Sequence, residues 1–449
     1  MLWIGFLTLA LGGLGTATEV HKEPLGQIAS PAVLAAEVYV DQLPGVRTGT
    51  VSARQRVANT SILNAYLATG RLLRLHAGTR VEIAGELKVA SGGGILGDMS
   101  GDKPTIYMPA NAFTNTDPTV DKGRYGPNAV GIDFSGELSG QYRPSTGVRI
   151  ANLRLVSEAK PGRMLHGIVG RNVVGCVIEN VEIRGLPTAI GIALASARDC
   201  RIRNIYIHDF YDDTRWPFLP QSTGIEVDND TVHGIGSRDT EIDHFRIDRL
   251  RVGGELLAKW GYQTDGINLF YSARRTRISD GEISDVGEGI DTYGSDGTIT
   301  NVRIDRPYAF GLKFIHGASR NRARGITIND AGLAGVNFSG SNEARQDTAG
   351  NVISGIAIKN IDPLGTWRKN STAGVLVSGA NARRLPTHNE VIDATIDLGP
   401  DGKYGWLDDS TGTANRGTGL RITGGRSLDR KILILHGGGS ASLGPTQPR

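Results

Sequence analysis

The feature that most constrains this chain is a repeat of about 23 residues built from two short strand patterns. One pattern opens with Gly plus an aliphatic residue. It recurs at Gly167-Ile168, Gly191-Ile192, Gly224-Ile225, Gly266-Ile267, Gly289-Ile290, Gly311-Leu312, Gly335-Val336, Gly374-Val375 and Gly419-Leu420. Four of the eight gaps are 22–24 residues, and the others are 33, 42, 39 and 45. The second pattern alternates apolar and polar residues behind an Asn, as at Asn152, Asn180, Asn204 and Asn301, with relatives at His244, Gly281, Gly325 and Gly355. Short strands at such a period describe a β-solenoid, in which no coil buries its apolar side alone and stacked coils share one core. Alternation turns Ile168, Ile192, Ile225 and Ile267 inward and the residue after each outward. The 62 Gly in 449 residues, about twice the usual ~7%, suit the many turns this requires. The Leu/Asn consensus of a leucine-rich horseshoe is absent, and period-2 strands exclude helical repeats.

Composition narrows the function classes. A net charge of +3 provides no concentrated basic face for nucleic acid. No internal apolar run reaches the ~18 residues of a membrane span. Leu2 to Leu14 is apolar, and small residues follow at 15–18 and 35–36, the pattern of an export signal. No Lys or Arg precedes that run; Lys22 is the first. The expectation is a leader over 1–40, a single solenoid domain over 41–435, a Gly/Ser/Pro tail over 436–449, and a secreted or periplasmic location. Cys176 and Cys200 begin Cys-Val-Ile-Glu-Asn and Cys-Arg-Ile-Arg-Asn, 24 residues apart. They are expected at equivalent places on adjacent coils, where a bridge fits but is not required.

The long gaps coincide with the tryptophans. Four extended loops are expected at one corner, after the strands at 204, 244, 355 and 394. They carry Trp216, Trp260, Trp367 and Trp406 respectively, with Tyr211, Phe218, Tyr262 and Tyr404. Aromatic faces stack on sugar rings, so these loops suggest a glycan-binding wall. The alternative is that each Trp anchors its own loop.

The outward residues after each Gly-aliphatic pair run Val169, Ala193, Glu226, Asn268, Asp291, Lys313, Asn337, Leu376 and Arg421. The central five are polar. Asp228 and Tyr293 lie two residues further along their strands, and Asp265 and Glu288 just before their Gly. Clustered carboxylates raise one another's pKa, which provides a general acid near neutral pH. Glu226 and Asp291, two coils or ~9.6 Å apart, suit a pair flanking a water, with Asp265 and Glu288 as competitors. Lys313, Asn268, Trp216, Trp260, Tyr293 and Asp228 are the candidate substrate-binding residues. The alternative is an acidic, solvated strand face. The segment 226–230 offers oxygen ligands for calcium but lacks the loop Gly; no metal site is assigned.

Residues 54–98 place Thr60-Ser61 before Ile62, Leu63, Tyr66 and Leu67. Strands at 72–75, 81–83 and 87–89 and the turn Gly92-Gly93-Gly94 follow. This resembles the capping helix and first coil of the pectate-lyase-like right-handed parallel β-helix superfamily, a resemblance extending over residues 54–430. It implies an all-β, right-handed parallel β-helix with an N-terminal capping helix, and leaves the activity open among lyases, hydrolases, epimerases and inert passengers. Within the superfamily, Tyr262-Gln263-Thr264-Asp265-Gly266-Ile267 resembles the Asn-Thr-Asp-Gly strand of polygalacturonase-type glycosidases. Gly287-Glu288-Gly289-Ile290-Asp291 falls where that family carries a paired Asp, and Gly311-Leu312-Lys313 is loosely like its basic strand. The match implies acid/base roles for Asp265, Glu288 and Asp291 and substrate binding by Lys313. The Asp pair is interrupted here and the Gly-His-Gly coil is missing. Residues 309–317 are spaced like the Arg-His-Gly coil of chondroitinase-B-like lyases, but Ile315 and Gly294 stand at the Arg and Lys positions.

The combined expectation is an exported enzyme acting on a polysaccharide, a glycoside hydrolase in the first place, with no cofactor. The alternatives are a lyase using Lys313 or Lys259 as base with calcium, and a non-catalytic glycan-binding or adhesin solenoid. A homo-oligomer is compatible with the sequence, and no membrane contact beyond export is expected.

Overall fold

A computed structural model describes residues 37–110, 130–158, 165–187, 190–210, 222–229, 234–250, 264–367, 371–425, 431–436 and 439–443. Residues 1–36 of the expected 1–40 leader lie outside them, as do Trp216, Trp260, Lys259, Tyr211, Phe218, Tyr262 and Gln263.

The described residues form two long parallel sheets, of 13 and 19 strands, wound as coils of one solenoid. The Gly-aliphatic strands build the first sheet. They are β1 (His166–Val174), β2 (Ile190–Arg198), β3 (Thr223–Asp228), β4 (Asp265–Leu269), β5 (Glu288–Thr292), β6 (Phe310–Phe314), β7 (Ala334–Ser339), β8 (Ala373–Ser378) and β9 (Tyr404–Asp409). Each pairs in parallel with the next, with Ile168, Ile192, Ile225, Ile267, Ile290, Leu312, Val336 and Val375 in one column. All eight are buried in a single continuous core, each contributing about 1.5–3 kcal/mol of apolar burial.

Space, not backbone conformation, explains the recurring glycine. A Cβ added at Gly224 would lie 2.5 Å from the Gly266 carbonyl oxygen and 2.8 Å from Ile247 Cγ2 on the opposite sheet. The column admits only hydrogen because isoleucines of the second sheet fill the gap.

Asn152, Asn180, Asn204, His244, Asp280 and Asn301 sit at a bend in the second sheet with φ of 50–57°, the left-handed region that Asn and Asp tolerate best. Asn180 Nδ2 donates to Asn152 Oδ1 at 2.9 Å, and Asn301 Nδ2 to Asp280 Oδ1 at 3.0 Å. A second column, not anticipated from the sequence, is buried. Asn321, Asn351, Asn389 and Asn415 pass one Nδ2–H···Oδ1 bond per coil at 2.8–3.0 Å. Cys176 and Cys200 occupy the same register earlier in the solenoid and form a disulfide, Cα–Cα 4.6 Å.

Three boundaries differ from expectation. The capping helix α1 is Ala53–Leu67, capped by Ser52, whose Oγ accepts from Gln55 N. Thr60, the expected cap, is inside the helix, its hydroxyl donating to Arg56 O. Pairing already begins at Glu37, and Ser440–Leu443 adds a rung within the expected tail. Finally, Gly419-Leu420-Arg421 is not a rung of the first sheet. Arg421 pairs with Thr395 in the second sheet, and Gly419 takes φ +69° beside Asp393 at the bend. The ninth rung is Gly405-Trp406-Leu407, with Trp406 opposite Val375 and fully buried. Trp406 is therefore core and no part of a glycan wall. Its expected loop shrinks to residues 398–403, and the expected loops after 204 and 244 fall mostly outside the described residues.

Candidate active site

The register aligns two outward columns on the first sheet. One runs Thr223, Asp265, Glu288 and Phe310; the other runs Ala193, Glu226, Asn268, Asp291, Lys313, Asn337 and Leu376. Both face the same way, because each Gly interrupts the alternation: Asn268 Nδ2 donates to Asp265 Oδ2 at 2.8 Å. The ladder read from the sequence is thus real up to Leu376, where Leu407 replaces the expected Arg421.

The ladder is not a solvated acidic face. Glu226, Asp265, Asn268 and Asp291 are 0% exposed, and Asp228, Glu288 and Lys313 are 4% exposed. Buried charge has to be paired, and Lys313 does this. Its Nζ lies 2.9 and 3.1 Å from the two Glu288 oxygens and 3.3 Å from Asp291 Oδ2. One carboxylate oxygen each from Asp265, Glu288 and Asp291 falls within a 4.8 Å group.

Three acids and one cation set the protonation. Burial pushes the Asp265 carboxyl well above the usual carboxylate range, and the charges of Glu288 and Asp291 push it the same way. Burial also raises Asp291, but Lys313 and a hydrogen bond with Tyr293 oppose the rise. Burial alone would lower Lys313, yet the carboxylates around it raise it above its ordinary value. Two polar atoms, Asp291 Oδ1 and Asn268 Oδ1, are buried without a hydrogen-bond partner. Burial and like charge thus favour the protonated form most strongly at Asp265, while Lys313 favours the ionised form at Asp291. A metal at Asp265, Glu288 and Asp291 would compete with Lys313 for the same oxygens. A second three-residue group, Asp243, His244 and Asp280, lies on the second sheet.

Glu226 stands one rung before Asn268 and two before Asp291, on the margin of the tight cluster. Asp228 turns back to its own chain, accepting from Asn229 N at 2.6 Å. Tyr293 is buried against Asp291 and anchors an aromatic group that sequence reasoning missed. His316 is 4.6 Å and Tyr271 5.1 Å from its ring, centroid to centroid. Burial and Lys313 push His316 down to about 4, and its Nδ1 meets Ser341 Oγ at 2.6 Å. Both residues lie just past their strands, where the repeat has no periodic signal. Trp367 is half-buried, its Nε1 donating to Tyr308 O at 3.0 Å.

The comparisons agree with this architecture. The family model for the right-handed β-helix region matches residues 166–349. No curated protein matches the chain in sequence. Among solved structures, the catalytic domain of a GH87 α-1,3-glucanase is 14% identical, covers 87% of this chain and 67% of its own, and has a TM-score of 0.59. The family 28 exopolygalacturonase of Yersinia enterocolitica is 11% identical over 89% of this chain and 78% of its own, TM-score 0.60. PfbA, a surface adhesin of Streptococcus pneumoniae, is 12% identical over 87% and 91%, TM-score 0.55. At such identities the likeness is one of fold. The chain has the right-handed parallel β-helix fold.

Proposed function

We propose that this protein is an exported glycoside hydrolase that cleaves a polysaccharide across the Asp265–Glu288–Asp291 cluster. The observation that carries the reading is the buried group of three carboxylates, two of which pair with one lysine. Glycoside hydrolysis needs one protonated and one ionised carboxyl group beside the scissile bond. Asp265, whose proton is held by burial and by two acidic neighbours, is the acid. Asp291, steadied as an anion by Lys313 and Tyr293, is the nucleophile or base. Glu288 fixes Lys313. That the glucanase and exopolygalacturonase with this fold act on polysaccharides supports the substrate class. The Cys176–Cys200 disulfide and the apolar run from Leu2 to Leu14 support export.

Elimination needs a side-chain base, and two candidates among the described residues are poorly placed for it: Lys313 is held protonated by the carboxylates, and burial together with Asp291 drives the Tyr293 phenol well above its ordinary value. Lys259, the other expected base, lies outside the described residues.

The test is a polysaccharide panel incubated with the full chain and read for new reducing ends and for ultraviolet absorbance together. Reducing ends without absorbance, lost in Asp265→Asn and Asp291→Asn, support hydrolysis. Absorbing unsaturated products overturn it, and a glycan bound without any product makes the protein a binding solenoid. The anomer first released tells which pair acts. Retention points to the close Asp265–Asp291 pair, and inversion to Glu226 with Asp291 across a water.

A further inference from the structure

Next to the acidic cluster lies an apolar cleft of about 460 Å³, a volume typical of small-molecule sites (~300–1,000 Å³). Trp367, Tyr308, Pro307 and Val286 line it. The indole is held in place by its bond to Tyr308 O and by an edge contact with the Tyr308 ring at 5.5 Å. Cleft and cluster adjoin. Thr264 lines the cleft and precedes Asp265, and its carbonyl accepts from Glu288 N at 2.9 Å.

The polar groups of the cleft are mainly acidic. Asp285 is neutralised by Arg306 in a two-bond pair at 2.9 and 2.7 Å. Asp330 Oδ1 accepts from Asn360 Nδ2 at 3.0 Å. Asp362 is 1% exposed; its Oδ1 accepts from Trp367 N, and its Oδ2 is buried with no hydrogen-bond partner. The lining therefore sets three carboxylates against one guanidinium. In the cluster beside it, the charge of Lys313 is already taken by Glu288 and Asp291. Among the described residues, neither place offers an uncommitted cation to an incoming anion.

We propose that this cleft is a sugar-binding subsite of the same active site, and that the polymer is built of non-anionic sugars rather than uronates. The inference rests on the hydrolase reading for the subsite's place in a reaction, and on the cleft's own residues for its ligand. The Trp367 face packs against the C–H side of a pyranose. The orphan Asp362 Oδ2 accepts a sugar hydroxyl, or an ammonium if the unit is an amino sugar. A uronate carboxylate ~5 Å from Asp362 would be disfavoured about a hundredfold at an effective dielectric of ~20. Lys313, expected from the sequence to bind substrate, is in this reading the counter-charge of Glu288 and Asp291.

The test is an array of immobilised neutral, amino-sugar and polyuronate glycans, probed with the full chain and two variants. Asp362→Asn keeps the acceptor for Trp367 N and removes the charge. Trp367→Ala removes the platform, and circular dichroism with melting confirms that each variant is folded. The expected result is binding to neutral or amino-sugar glycans. It weakens about tenfold in Asp362→Asn, as for loss of a charge-assisted bond, and more in Trp367→Ala. Preferential binding of polyuronates, no binding to any class, or binding that neither substitution changes would overturn the proposal. The array requires no turnover. A captured neutral glycan that is never cleaved leaves the subsite standing and removes the hydrolase reading. Hydrolysis of a polyuronate does the reverse.

Discussion

Replacing Lys313 by Met tests the electrostatics of the site without touching a proposed acid or base. The ammonium bonds Glu288 at 2.9 and 3.1 Å and Asp291 at 3.3 Å, with side-chain exposures of 5% for Lys313 and Glu288 and 0% for Asp291. Removing one partner of a buried pair strands the other, at a cost of about 3–5 kcal/mol. One kcal/mol moves Tm by about 2–4 °C in a domain of 150–250 residues and by less in a longer chain, so the expected fall is about 5–10 °C. The loss must also depend on pH. Asp291 already has a folded-state pKa above its ordinary 3.8, and Lys313 is the first group holding it down. Without the lysine it rises further. A carboxyl group raised in the folded state stabilises fully below its unfolded value and loses that contribution as pH rises through the folded one. The deficit of Lys313→Met should therefore be small near pH 4 and largest near pH 8. Melting by circular dichroism across that range, at one scan rate, gives the curve. Adding Glu288→Gln to the variant should recover about half of the deficit. A deficit under about 1 kcal/mol, or one equal at pH 5 and pH 8, would refute the pairing and with it the electrostatic case for the site.

The other expectations follow from the same contacts. Asp265→Asn and Asp291→Asn should each lower turnover at least ~10²-fold with Tm kept or raised, measured on whichever glycan the panel identifies. In Lys313→Met, any remaining activity should hold its alkaline limb to higher pH than the wild type, because Lys313 lowers the Asp265 pKa; a pH–rate profile reads this. Replacing both Cys176 and Cys200 by Ser opens a link across 24 residues and should cost about 3 kcal/mol, seen as a lower Tm that reductant no longer changes. Asn351→Ala removes an amide that accepts from Asn321 and donates to Ala318 O and Asn389 inside the solenoid. It should cost about 3 kcal/mol or more in denaturant unfolding, whereas Asn301→Ala, at the exposed bend, should cost under ~1 kcal/mol.

How much of this was legible in the sequence depends on what each position must satisfy. The first sheet could be read strand by strand because its glycine column is a packing requirement: isoleucines opposite leave no room for a Cβ, so the residue type repeats with the coil. The reading failed at the last rung for a related reason. The inward slot after Gly405 holds Trp406, which is not aliphatic. Gly419, chosen instead, is a glycine of the other kind, needed for a positive φ at the bend. A tryptophan in a long gap carries the same letter whether it closes a core, as Trp406 does, or braces a cleft, as Trp367 does. Helix α1 was half-legible because its first turn, Ala53-Arg54-Gln55-Arg56, has no apolar stripe to mark it.

The site shows the same division between order and depth. Register fixed which acids follow one another along the axis, so Asp265, Glu288 and Asp291 could be brought together from spacing alone. Spacing carries no information about burial, and burial decides the chemistry. On an open strand these carboxylates would all be ionised, and Lys313 would be free to meet a substrate carboxylate. Enclosed at 0–4% exposure, the lysine pairs with Glu288 and Asp291, and burial with its acidic neighbours pushes Asp265 well above the usual carboxylate range. The proposed preference for non-anionic sugars is a separate step, carried by Asp362 and Trp367 in the neighbouring cleft, whose burial and contacts the repeat does not mark.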